Sequence, residues 1–384
     1  MSLSTHVMAA RWIVPVSRKP INGGWIRFCG EEIVEIGQGK PPAEADDLGD
    51  AAILPGLINA HTHLEFSDCR RPIGEPGIAL HDWIGEVITA RGATSLESKQ
   101  LAITQGLQES EQSCVRLIGE IATPPFRYPD TEAQLVTFAE VLGLSNERSG
   151  ERLAVAMEHN ETFDHAAWSP HAPYSTSLPT IEACVKNAVR TSRPLAMHVA
   201  ESTAERELLT SGSGPFATTL QSIGVWREGL FPWGDDPFLN LIDLLSSAPR
   251  GLVVHGNDLR QHEIDQLAQH TNLAVVYCPR THDFFGHSRH PVQDLLNAGV
   301  KVALGTDSRA SNPDLDLWGE VQFLLNNRQD LDPCEVLKMA TLHGASTFGQ
   351  SNLGRLEIGC KPGIKLVRTA ATNEQELFAS FATV

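Results

Sequence analysis

The chain has 384 residues, 41% hydrophobic and 20% charged, which excludes a disordered chain and gives room for one large barrel with a small appendage. Lys+Arg 30 against Asp+Glu 47 leave a net charge of -17 with no basic run, which argues against nucleic acid and anionic membrane as partners. Seven cysteines (Cys29, Cys69, Cys114, Cys184, Cys278, Cys334 and Cys360) are scattered and odd in number, without a C-x-x-C pair, which argues against both a disulfide framework and a thiolate zinc site.

No basic segment followed by an apolar run opens the chain, and no apolar stretch nears the roughly 18 residues of a membrane span; a cytoplasmic protein is expected. From the N-terminus, residues 8–16, 24–29 and 32–36 read as short strands, with a turn at Gly30. Pro41-Pro42 and Asp46-Asp47 mark a connector. So short a stretch holds no core alone. Residues 354–359 and 364–368 supply further strand-like runs at the other end. The expected architecture is α/β, a (β/α)8 TIM-like barrel over residues 55–350 with a small β-sandwich domain built from both chain termini, 1–54 and 351–384.

Within the barrel, eight apolar runs read as strands: residues 53–60, 116–122, 153–158, 166–169, 195–199, 252–256, 273–278 and 301–305. Helical patterns lie between them, as at 180–191, 263–270 and 291–298. Two connections are long, residues 65–100 and 202–250, and carry Trp83, Trp226 and Trp233. Loops that follow strands build the active site of such a barrel, so these two read either as pocket walls or lids, or as packing elaborations.

The first run ends Asn59-Ala60-His61-Thr62-His63. On a strand, positions i and i+2 share a face, and two neutral imidazoles so placed are half of a metal site. An H-x-H pair alone is equally an ordinary strand feature. The other strand ends shift the balance: the fifth run continues Met197-His198-Val199-Ala200-Glu201, the sixth ends at His255-Gly256, and the eighth leads into Gly305-Thr306-Asp307-Ser308. Each run is apolar until a ligand-type residue stands where the strand leaves the barrel. Packing alone gives no reason for this to happen four times.

The motifs Pro55-Gly56-Leu57-Ile58-Asn59-Ala60-His61-Thr62-His63, His198-Val199-Ala200-Glu201, His255-Gly256 and Gly305-Thr306-Asp307-Ser308 resemble those of the amidohydrolase superfamily. The likeness spans essentially the whole chain. It fits best the branch of cytosine, guanine, adenosine and S-adenosylhomocysteine deaminases and triazine chlorohydrolases, and within it the aminodeoxyfutalosine deaminase-like hydrolases. The resemblance implies that His61, His63, His198 and Asp307 hold one divalent metal ion, Zn2+ or, on the same ligands, Fe2+. It implies Glu201 as proton shuttle, His255 as the group that orients water and polarises the reacting centre, and Asp307 as both ligand and proton acceptor. No lysine stands at a strand end to bridge two metals, which favours a mononuclear site. The implied reaction is hydrolytic deamination of an amino-substituted heterocycle, with an adenine nucleoside derivative as the leading substrate class.

The resemblance also implies that His171, in Ser169-Pro170-His171-Ala172-Pro173-Tyr174, contacts the heterocycle and that Trp83 walls its pocket. A solvent-facing turn histidine and a helix-packing tryptophan are the plainer alternatives. After the seventh run, relatives carry a Ser-Asn pair where this chain has Thr281-His282. Arg280 and His282 are therefore expected near substrate, on a loop that continues to His287 and His290. Glu65 is a further residue able to face the pocket, whereas Asp314 and Asp316 read as helix-starting caps. Two other functions compete: a related hydrolase with a different leaving group (a chlorotriazine dechlorinase or cyclic amidase), and a non-catalytic barrel with a structural metal. The latter leaves Glu201 and His255 without a role. Relatives form homodimers, though no residue here demands one.

Overall fold

Eight parallel strands lie side by side in chain order: Leu57–Thr62, Val115–Ala122, Gln134–Val141, Ala166–Pro170, Leu195–Val199, Gly251–His255, Leu273–Tyr277 and Lys301–Leu304. This is a computed structural model, and it describes residues 4–383. The first and last strands meet where the N–H groups of Thr306 and Asp307 donate to the His61 carbonyl at 3.1 and 3.0 Å. A side chain at Gly305 would meet that same carbonyl at 2.8 Å, so the approach requires glycine.

Each strand is buried on both sides, which is why the runs read as continuous apolar stretches. Ile58, Ala60, Leu117, Ile121, Phe138, Ala167, Ala196, Leu252, Val254, Val276 and Ala303 fill the barrel interior as one cluster. Their neighbours of opposite parity, such as Leu57, Ile118, Ala139, Trp168, Met197, Val253, Val275 and Val302, pack under the helices. Each fully buried Val, Leu or Ile contributes roughly 1.5–3 kcal/mol relative to exposure.

The third strand departs from the sequence expectation. Residues 153–158 lie inside the helix Asn146–Thr162, and the strand is Gln134–Val141. Ser145 caps that helix through Arg148 N–H, and its buried residues, Ser149, Ala156, His159 and Asn160, line one helical face. Leu153 and Val155 are only half-buried and Met157 is exposed, so the apolar pattern there does not have the period of a strand.

Both termini contribute to a separate six-stranded sheet in which Ile364–Arg368 pairs antiparallel with Ala51–Pro55. Ala51–Pro55 alternates cleanly. Ala51 and Ile53 face the small domain's own core with Ile13, Ile26, Phe28 and Ile33; Ala52 and Leu54 face the barrel side with Trp12 and Val367. Residues 354–359 form no strand. Leu356 is fully buried, its N–H reaches the Pro15 carbonyl, and a turn follows from Glu357 to Cys360.

The two long connections fold into helices, Leu80–Ala93 and Leu96–Gln112 in one, Thr203–Ser211, Gly214–Ser222 and Pro237–Ser246 in the other. They meet in one apolar cluster: Leu80, Leu208, Phe216, Leu220 and Leu230 join Ala172, Tyr174 and Phe285 from other strand ends, with Trp83 and Trp226 half-buried against them. Trp233 belongs instead to the core beneath the helices. Among the described residues no helix is long and apolar enough to cross a membrane.

Candidate metal centre

The first strand loses its regular register between Asn59 and Thr62, beside the two histidines at the barrel mouth. Asn59 ties strand one to strand eight. Its Oδ1 accepts from the N–H groups of Thr306 and His61, and its Nδ2 donates to Thr306 Oγ1 at 2.8 Å. Thr62 Oγ1 donates to the Asp307 carbonyl, and Asp307 takes a left-handed φ of 55°. Its Oδ1 then lies 3.7 Å from His61 Nε2 and 3.6 Å from His63 Nε2. Among the described residues, three of the six non-glycine residues at positive φ are Ala200, His255 and Asp307, so backbone strain concentrates at this mouth.

His198 is held by its far nitrogen, with Nδ1 2.8 Å from the carbonyl of His171. This fixes the ring and directs Nε2 inward. Ring centres of His198 stand 5.0 Å from His61, 5.5 Å from His63 and 5.4 Å from His255. Donor atoms of His61, His63 and Asp307 lie within 4.8 Å of one another, and so do those of His61, His198 and His255.

His61 tests the fit of a cation. Its side chain is fully buried, yet neither ring nitrogen has a hydrogen-bond partner. An unpaired buried imidazole is costly, and a divalent cation is a partner that the surrounding donors can share. Burial, reinforced by neighbouring imidazoles, holds His63, His198 and His255 well below the usual histidine range. They are neutral and offer lone pairs. Three imidazoles and one carboxylate suit zinc.

Glu201 Oε1 stands 3.4 Å from His255 Nε2. Burial, then the charges of Asp307 and Glu205, push its carboxyl well above the usual range. Tyr174 OH donates to its Oε2 at 3.3 Å. Glu205 holds the backbone, accepting from Ala200 N–H at 3.0 Å and Glu201 N–H at 2.7 Å, and Asn257 Nδ2 donates to the Glu201 carbonyl. Sequence reasoning missed Tyr174, Glu205 and Asn257. Ser202-x-x-Glu205 is a capping pattern that signals a helix start, and Ser202 does cap Thr203–Ser211.

His171 stands 4.9 Å, ring to ring, from His198. Its Nδ1 is 2.5 Å from Ser175 Oγ, and burial with the Arg91 charge pushes it down to about 3. Trp83 donates to the Ala310 carbonyl at 3.3 Å and sets its ring edge against Phe285. His282 Nδ1 is 3.1 Å from Asn257 Oδ1, one residue removed from Glu201. His290 Nε2 lies 2.9 Å from the His255 carbonyl, steadying that strained residue. Arg280 is turned elsewhere: its Nε reaches Glu320, and one Nη reaches Asp314 and the Asp316 carbonyl. Its donors are committed to a structural ion-pair cluster, so the expectation that it reads substrate is dropped. Glu65 is ion-paired with Arg91 and Lys99 and accepts from Thr123; it lines a small cavity with Phe66, Cys69, Arg91 and Lys99 that the clustered histidines do not line. Asp316 caps Leu317–Asn327 as expected.

The amidohydrolase family's sequence profile matches residues 52–381, and the chain belongs to that family; it is a hydrolase. It is 28% identical over 370 residues to the 5-methylthioadenosine/S-adenosylhomocysteine deaminase of Nitratidesulfovibrio vulgaris, covering 88% of this chain and 76% of that protein. The fold matches Helicobacter pylori aminofutalosine deaminase in complex with methylthio-coformycin (TM-score 0.85, 24% identity, 98% and 96% of the two chains). It also matches an adenosine deaminase from Xanthomonas campestris with bound zinc (TM-score 0.76, 21% identity, 98% and 88%).

Proposed function

We propose that the protein is a metal-dependent aminohydrolase that deaminates an adenine nucleoside derivative. One observation carries this reading: a buried, unpartnered imidazole set beside Asp307 stands next to a carboxyl group that burial keeps able to hold a proton. The relatives' activity on adenosine derivatives supports the substrate class.

His61, His63, His198 and Asp307 would hold the ion, with zinc the choice and iron(II) its competitor. When bound, such an ion lowers the pKa of water towards neutrality. Glu201 takes a proton from the attacking water at Oε1 and gives it to the ring nitrogen beside the reacting carbon. His255 Nε2, 3.4 Å away, orients water and polarises that carbon. Asp307, whose Oδ2 accepts from Ser311 Oγ, takes the remaining hydroxyl proton and passes it on to the amino group, which leaves as ammonia. His171 and Trp83 form the walls for the base, and His282 contributes through Asn257.

The experiment is ammonia release by the zinc-loaded protein on a panel of adenine nucleosides, free bases and aminotriazines. Ammonia from an adenine nucleoside, reduced about 10²–10⁴-fold or more in Glu201→Gln at unchanged metal content, is the expected result. Chloride or a ring-opened acid in place of ammonia would assign the protein to the other hydrolases, and full activity in Glu201→Gln would remove the shuttle.

A further inference from the structure

The third strand carries a residue that the proposed reaction does not use. In Gln134–Val141, Val136 and Phe138 point into the barrel, so Glu140, two further on, belongs to the same inward face. Parity brings His198 to the mouth after Ala196 in the same way, and His171 after Ala167. Glu140 is 3% exposed. Its Oε1 is 3.9 Å from His171 Nε2 and its Oε2 is 3.6 Å from Arg91 Nη2. Both distances are too long for hydrogen bonds. A buried carboxylate is stable only when its lone pairs are satisfied; here Arg91 is the cation that faces it, and Arg91 is shared with Glu65, so Glu140 keeps capacity to accept further hydrogen bonds.

The charges around it decide what it can bind. Arg91 sits between Glu65 and Glu140, and Lys99 also pairs with Glu65 at 3.5 Å. A third buried carboxyl, Glu120, accepts from Leu64 N–H and is pushed well above the usual range by burial, so the two cations balance the two remaining carboxylates and no cationic ligand is called for. Among the described residues no third donor joins Glu140 and His171 in a metal-sized group. What remains is a neutral partner with hydrogen-bond donors. On an adenine nucleoside the base offers only acceptors apart from the amino group that leaves. The other donors are sugar hydroxyls.

We propose that Glu140, backed by Arg91 and flanked by His171, is a substrate-binding residue that accepts hydrogen bonds from the vicinal diol of a ribonucleoside. This rests on the deaminase reading above and narrows its substrate to ribosides. The test compares kcat/KM for ammonia release from an adenine riboside, its 2′-deoxy and 3′-deoxy analogues and free adenine, in the wild type and in Glu140→Ala and Glu140→Gln. The wild type should prefer the riboside roughly 10- to 100-fold over either deoxy analogue, the usual range for a hydrogen bond to a buried charged group. In Glu140→Ala that ratio should fall towards one, with Glu140→Gln between. Equal turnover of riboside and deoxyribosides by the wild type, or an equal loss for all of them in Glu140→Ala, overturns the assignment and leaves the deaminase reading standing. If Glu140→Ala does not fold, Glu140→Gln carries the comparison: an undiminished riboside preference in it overturns the assignment. Failure of every adenine nucleoside, ribo or deoxy, would overturn the deaminase reading and this proposal with it.

Discussion

Glu201 and Glu65 are both buried glutamates at the barrel mouth, yet they sit in opposite settings. At the end of strand five, the charged groups acting on Glu201 are Asp307 and Glu205, both acidic, and its carboxyl is pushed up. Across the mouth, Glu65 meets Arg91 and Lys99 within 3.5 Å, and Arg91 also faces Glu140. A buried carboxyl among acidic neighbours holds or passes a proton; one paired with a cation anchors structure or binds donors. Residue type alone assigns neither role. The second helix-bearing connection supplies no cation to its glutamates at the mouth, whereas the first supplies Arg91 and Lys99.

The contrast breaks most completely at the imidazole set itself. His61→Ala should abolish metal retention and lower turnover by more than the roughly 10²–10⁴-fold of a lost acid–base group. Metal content per chain after dialysis checks it, and a variant that keeps one tightly bound ion would show that His61 is not a ligand. Next in size is Arg91→Gln, which strips the cation from the balanced side. Breaking a buried ion pair costs about 3–5 kcal/mol; with Arg91 27% exposed, about 2–3 kcal/mol is expected in denaturant unfolding. Glu201→Gln in the metal-free protein should stay within about 0.5 kcal/mol, since an amide resembles the neutral acid. Equal losses in the two variants would erase the distinction between the two sides.

How much of this was legible follows the same physics. His61, His63, His198, His255 and Asp307 stand out because each interrupts or ends an apolar run, and the structure brings all five together. The third strand hid because Thr137 and Glu140 break its apolar pattern, and the more apolar 153–158 took its place. Glu140 was lost with it. Arg280 follows a strand end in sequence, but spacing does not say where a guanidinium turns, and Glu320 and Asp314 draw it away. Gly354–Gly359 has strand-like alternation but not the backbone pairing, which is a tertiary property.

The most local expected effect lies behind that third strand, at a titrating group outside both sides of the mouth. His159 Nε2 is 2.8 Å from Thr137 Oγ1, and burial, then His165 and Arg193, lowers it to about 4. The unfolded chain takes up this proton near pH 6.5, so between about 6.5 and 4 the unfolded state binds more protons than the folded one. Stability from the neutral ring is therefore complete above that window and lost as pH falls through it. His159→Gln should flatten the acid limb of a Tm-against-pH curve over that window without changing ammonia release at neutral pH. An unchanged acid limb would place the acid sensitivity in the imidazoles of the mouth, and the metal-loaded protein would then lose the limb on loading.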